Sequence, residues 1–196
     1  GIAIFGGYGH QVFRNIIKDG VGGSAIRFTQ DFPGHTFEQG KPKIVLTDNY
    51  IVSCGTSYDL WNQMRGAIEF YTPRGIYDLE FNNTQIINSQ RHAINFEGNF
   101  NGLNFNNTTI DGTGMDATVD NPGSNSWGGY GIRANASGNT TFTTISYNRL
   151  ESGEVINHNT GFQLLINAGQ VNLTGITLNP TSASIVQGGT ANLQVA

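Results

Sequence analysis

The chain has 196 residues, of which only 12% are charged, 27 are Gly and 5 are Pro, and its formal net charge is −4. That balance argues against nucleic acid as a partner, because nucleic acid is bound mainly through basic surface. No run reaches the roughly 18 apolar residues of a membrane span, nothing resembles a signal peptide, and Cys54 stands alone, so neither a membrane partner nor an internal disulfide framework is expected.

The first element is Gly1-Ile2-Ala3-Ile4, and its pattern of small residue, Ile, any residue and large apolar residue returns along the chain. It recurs as Ala25-Ile26-Arg27-Phe28, "GAIEF" at 66–70, "HAINF" at 92–96 and Gly131-Ile132-Arg133-Ala134. The phrases start at 1, 25, 67, 93 and 131, in steps of 24, 42, 26 and 38. Repetition in this range marks a stacked architecture. Each copy alternates with period two and therefore reads as a strand with one buried face. Ile2, Ile4, Ile26, Phe28, Ile68, Phe70, Ile94 and Phe96 point inward on this reading. Ala3, Phe5, Arg27, Thr29, Glu69, Tyr71, Asn95 and Glu97 point outward.

A second phrase follows each first one: "QVFRNIIKDG", "KIVLTDNYIVSCG", "LEFNNTQIINS" and "LNFNNTTIDGTG". Apolar strand, Asn and apolar strand succeed one another, with Asn15, Asn49, Asn83 and Asn107 at the break. Asn tolerates the left-handed backbone of a sharp corner. Short strands in turns of about 24 residues bury their apolar sides only by stacking, at about 4.8 Å per rung. The pattern predicts an all-β fold, a parallel β-helix over residues 1–170, with no long segment of helical period. Two long steps carry insertions, Asp31–Lys43 with Gly55–Arg65, and Asp116–Tyr130; loops of that length are more often functional than idle.

Beyond about residue 170 the grammar changes. "LNPTSASIVQGGTA" looks like the opening strands of a bacterial immunoglobulin-like (Big-type) domain, of which 171–196 would be a truncated start. Gly1 enters in mid-phrase, so a further turn below it is expected, and the rest of the polypeptide counts as a partner.

The outward residues form a ladder of aromatic, amide and carboxylate groups on a long surface. Such a line suits an extended carbohydrate, because rings stack on sugars and polar tips bond hydroxyls; the alternative is an ordinary solvated sheet face. Trp61, Trp127, Tyr58, Phe32 and Tyr130 lie in the loops as sugar platforms or as caps on neighbouring turns. The substrate-binding candidates are Phe5, Arg27, Asp31, Phe32, Tyr58, Trp61, Glu69 and Tyr71. Glycosidases need two carboxylates at a defined separation. Glu69 and Glu97, on consecutive rungs, are a fallback pair without an aspartate cluster around them. His10, His35, His92 and His158 have no zinc spacing, "GGYG" at Gly6–Gly9 is followed by no Lys or helix start, and Cys54 packs as a small apolar residue. No metal and no cofactor is expected. Asn82-Asn83-Thr84 is a sequon, but it coincides with a corner.

Several phrases together resemble glycoside hydrolase family 87, the mycodextranases and α-1,3-glucanases. "GIAIFGGYGHQVFRNIIKD", "SAIRFTQDFPGHTF", "RGAIEFY" and "INSQRHAINF" resemble successive turns of that family in order, and the likeness covers about residues 1–167. It implies a right-handed parallel β-helix in a secreted or cell-surface bacterial hydrolase. That enzyme would cleave α-1,3-glucosidic bonds with inversion through a cluster of aspartates, and its partner would be a neutral α-glucan. The family's aspartate phrases, of the type "NADGI" and "GDDG", do not occur here; they precede the passage that Gly1 begins. The resemblance thus implies a fold and a binding edge but no catalytic residue in this chain. Two other readings stay open: a non-catalytic carbohydrate-binding or adhesive β-helix, and a pectinase or lyase. Against an acidic polymer, only Arg27, Arg65, Arg91 and Arg133 fall near the ladder.

Overall fold

A computed structural model describes residues 1–20, 23–55, 66–113, 131–142, 145–148, 162–179, 183–187 and 191–195. All regular structure among them is β-strand, and every pairing between named strands is parallel.

The chain visits three ladders in turn and then begins again one rung further on. The first ladder stacks β1 (Ile2–Ile4), β4 (Ile26–Thr29), the start of β7 (Gly66–Asn82), the start of β9 (His92–Asn106) and β11 (Ile132–Phe142). The second contains β2 (Gln11–Phe13), β5 (Ile44–Thr47) and the later halves of β7 and β9. In the third lie β3 (Ile16–Lys18), β6 (Tyr50–Val52), β8 (Gln85–Ile87), β10 (Thr108–Asp111) and β12 (Ile145–Asn148). The register is the one that the repeated phrase predicts: Ile2, Ile26, Ile68, Ile94 and Ile132 pair in succession.

Inward columns from the three ladders meet in one core. Phe28, Phe70 and Phe96 stack face to face, with centroids 4.9 and 4.5 Å apart. Leu46 and Phe81 supply the second ladder and Ile51, Ile86 and Ile110 the third, all fully buried. Each such side chain contributes roughly 1.5–3 kcal/mol by leaving water. Phe37 reaches this core from the first insertion and meets Phe28 edge-on at 6.2 Å.

Two of the four expected corners, Asn83 and Asn107, hold, and the other two differ by one residue. Between the second and third ladders the left-handed positions are Arg14, Asp48, Asn83 and Asn107, and the first three donate their N–H groups to the Thr47, Asn82 and Asn106 carbonyls of the next turn. Asn15 and Asn49, expected to take that conformation, sit one position later. Their amides turn inward instead: Asn15 Nδ2 donates to Asn49 Oδ1 at 3.0 Å, and Asn49 Nδ2 to the Val12 carbonyl at 3.0 Å. Asn49 is buried, and its amide saturates backbone that the turn would otherwise leave unbonded. The corner between the first two ladders uses glycine where it must. Gly98 has φ +118°, and a Cβ there would lie 2.4 Å from the Thr72 carbonyl.

β13 (Phe162–Asn179) runs across residue 170 without a break. β14 (Ala183–Gln187) and β15 (Ala191–Val195) both pair with it in parallel.

Candidate functional site

The outward residues of the first ladder fall into two columns. Arg27, Glu69, Asn95 and Arg133 pair in succession, and so do Thr29, Tyr71 and Glu97. Phe5 follows β1 at the foot of the second column. The two ends of this face have different characters.

At the lower end the side chains reach solvent. Phe5 is 43% exposed, Phe32 60% and Tyr71 37%. His35 stands between the two phenylalanines, edge-on to Phe5 at 5.4 Å and to Phe32 at 5.2 Å. Arg27 pairs with Asp31 at 3.4 Å, and its guanidinium lies 5.9 Å from the centre of the Tyr71 ring. The loop that carries Asp31, Phe32 and His35 is fastened to the turn above. Phe32-Pro33-Gly34-His35 forms a turn closed by the His35 N–H on the Phe32 carbonyl at 3.0 Å. Pro33 presets the backbone angle that such a turn needs at its second position. The structure therefore gathers Phe5, Arg27, Asp31, Phe32 and Tyr71 along one face. It adds His35, which the sequence offers only as a histidine without zinc spacing. Tyr58 and Trp61 lie outside the described residues.

Beside and above these exposed groups the expected solvated face is buried. Thr29, Glu69 and Asn95 are at most 1% exposed, although register directs them away from the Ile and Phe columns. The physical reason for Glu69 and Asn95 is a connected polar network. Asn95 Nδ2 donates to Glu69 Oε1 at 3.1 Å and to Oε2 at 3.0 Å, and the Gly66 N–H also donates to Oε2 at 2.9 Å. Arg133 Nη1 donates to Asn95 Oδ1 at 2.8 Å and is ion-paired with Glu97. Saturation of this kind lets a carboxylate be buried without an orphaned charge.

The network bears on Glu69 and Glu97 as an acid–base pair. One rung and two residues separate them, so their Cα atoms are about 8 Å apart. The spacing suits inversion, but the bonding does not: both Glu69 oxygens already accept protein donors, and Glu97 is held by Arg133. As a substrate contact Glu69 is likewise enclosed rather than presented.

On the strand that carries Asn95 lies His92, fully buried, with Arg91 and Arg133 near it. Burial first, and then the two guanidinium charges, push its imidazole down to about 3. His92 is therefore neutral at physiological pH.

No family model and no curated protein matches the sequence. Among solved structures the chain is similar to the Agl-KA catalytic domain, with 34% identity and a TM-score of 0.67. The match covers 99% of this chain and 30% of that one. The chain thus spans about a third of the length of the structure that it matches, and the part it resembles belongs to the catalytic domain of an enzyme.

Proposed function

We propose that this chain forms part of the right-handed parallel β-helix of a family 87 glycoside hydrolase. On this reading the enzyme cleaves α-1,3-glucan with inversion, and the lower end of the first ladder binds the polymer. The carrying observation is the 34% identity to a catalytic domain across 99% of this chain. Exposed rings at Phe5, Phe32 and Tyr71, with the polar tips of Arg27 and Asp31 beside them, support the binding part: pyranose faces stack on rings and hydroxyls bond fixed polar groups. The acid and base belong to aspartates upstream of Gly1, about 6.5–9.5 Å apart with water between them. A secreted or cell-surface bacterial protein suits a polymer too large to enter a cell.

The test uses the natural full-length protein and soluble α-1,3-linked gluco-oligosaccharide. Hydrolysis should release the β-anomer first, and Phe5→Ala or Phe32→Ala should weaken binding. Residues 1–196 by themselves should not hydrolyse the substrate; turnover by them would return Glu69 and Glu97 to the catalytic role.

The second reading is a non-catalytic carbohydrate-binding or adhesive β-helix, favoured by the way Glu69 and Glu97 are bound into the protein. An intact protein that binds glucan without cleaving it would establish that reading. A truncated immunoglobulin-like start at 171–196 is a separate proposal resting on the phrase "LNPTSASIVQGGTA". The parallel pairing of β14 and β15 with β13 weighs against it, since a sandwich pairs its strands antiparallel.

A further inference from the structure

Arg74 lies in the exposed corner between the first and second ladders, where it pairs with no carboxylate among the described residues. Its Nη2 instead lies 2.9 Å from the Gln30 carbonyl, 2.6 Å from that of Phe32 and 2.9 Å from that of His35. Two N–H groups are thus shared among three carbonyl oxygens of one loop. Gln30 completes the fastening from the other side. Its Nε2 donates to the Gly75 carbonyl at 2.9 Å, and its Oε1 accepts the Arg74 N–H at 2.8 Å. Gln30 is 2% exposed, so this second clasp is sheltered from water.

Two of the three carbonyls that Arg74 holds belong to the residues that carry the rings. Phe32 and His35 are fixed at the backbone, and His35 in turn meets Phe5 edge-on. An exposed loop held only by its ends would leave Phe32 free to rotate, and ordering it on binding would reduce affinity. Hydrogen bonds from a charged donor are about twice as strong as neutral ones, and the planar guanidinium can address several acceptors at once. A lysine ammonium on a flexible stem lacks that fork.

We propose that Arg74, with Gln30, is a positioning residue: it locks the Phe32–His35 turn so that Phe5, His35 and Phe32 form a preorganised platform for the pyranose rings of a neutral polysaccharide. This rests on the reading of that face as a glucan-binding surface. Arg74 and Gln30 act through the loop rather than by touching the sugar.

The experiment is a binding titration of soluble α-1,3-linked gluco-oligosaccharide against the natural full-length protein. It compares Phe32→Ala, Arg74→Ala, Arg74→Lys, Gln30→Leu and the double variant Arg74→Ala/Phe32→Ala. Amide exchange over residues 31–37 and the thermal midpoint are followed in each. Arg74→Ala should weaken binding by up to about tenfold, the effect of freeing one immobilised aromatic side chain. Amide exchange should quicken within 31–37 while the midpoint stays near that of the wild type. Arg74→Lys should recover only part of the affinity, and the double variant should bind no worse than Phe32→Ala, because Arg74 acts through Phe32. Hydrolysis should show a raised KM with kcat unchanged. If Phe32→Ala binds like the wild type, the binding-face reading falls. If Phe32→Ala weakens binding but Arg74→Ala does not, or if the double variant loses the sum of both, the positioning role is overturned alone. Should Arg74→Ala unfold, Arg74→Lys and Gln30→Leu decide by the same criteria.

Discussion

Replacing Phe70 by Ala tests the stacked architecture at its most committed point. Phe70 is fully buried between Phe28, 4.9 Å away and 6° from parallel, and Phe96, 4.5 Å away and 16° from parallel; Phe81 meets it edge-on at 6.1 Å. Removing a buried Phe side chain costs about 3–5 kcal/mol through lost transfer energy and the cavity left behind. Aromatic contacts add roughly 0.5–1.5 kcal/mol each beyond burial, and Phe70 makes three. Neighbours held in ladders on both sides cannot collapse into the gap. The loss should therefore fall at the upper end of that range, a large share of a typical stability of about 5–15 kcal/mol. Guanidinium denaturation measures it, with Phe70→Leu and Tyr71→Ala as comparators. Leu keeps most of the volume and should cost about 1.5 kcal/mol. Tyr71 is the next residue but faces outward at 37% exposure, so its truncation should cost about 1 kcal/mol or less. Equal losses at positions 70 and 71, or a loss below about 1 kcal/mol for Phe70→Ala, would refute the assignment of faces.

Acid should weaken the protein through His92. Its folded-state value, about 3, lies below the ordinary 6.5, so the unfolded chain binds the proton first. The stabilising effect of the neutral imidazole is present above pH 6.5 and is lost as pH falls towards 3, by about 1.4 kcal/mol per unit. A His92→Gln variant should show a shallower fall of the thermal midpoint between pH 6.5 and 4, and an unchanged slope would contradict the assignment. Gly98→Ala forces a side chain into φ +118° and against the Thr72 carbonyl, so a loss of about 1–3 kcal/mol is expected by denaturation; a neutral result would mean that the corner yields. Binding of soluble α-1,3-linked oligosaccharide should change little between low and high ionic strength, because ring stacking and neutral hydrogen bonds are not screened. A steep salt dependence in the same titration would count against a neutral ligand.

The stack was legible because its signal is a repeated spacing. Ile at the second place of each phrase fixed the register, and Ile2, Ile26, Ile68, Ile94 and Ile132 pair accordingly. Corners were legible only to within one residue, since both Asn and its predecessor can serve there. In the first two turns Arg14 and Asp48 take the left-handed place, and Asn15 and Asn49 use their amides inward. Burial of Glu69 and Asn95 could not be read from alternation, which tells which way a side chain points but not what covers it. The partner that binds Asn95, Arg133, lies 38 residues further on, and only the stacking brings it near. His35 was hidden for a similar reason. Its role depends on two phenylalanines, one of them 30 positions earlier in sequence, placed beside it by the fold.

The chemistry of this face also bears on which polymer it can take. An acidic chain would need cations free to meet it, and the arginines of the face among the described residues are committed elsewhere. Arg27 pairs with Asp31, Arg133 is held by Glu97 and Asn95, and Arg74 is spread over three carbonyls. Arg91 is 2% exposed. To meet a uronate, any of the three partnered groups would have to break protein hydrogen bonds. Arg133 would also leave Glu97 without its partner, and stranding one member of a largely buried pair is strongly unfavourable. What the face can offer without rearrangement is the exposed surface of Phe5, Phe32 and Tyr71, with the edges of polar groups already held in place. That is a surface for hydroxyls and ring faces, and it supports the proposed neutral glucan over the acidic substrate of a pectinase or lyase.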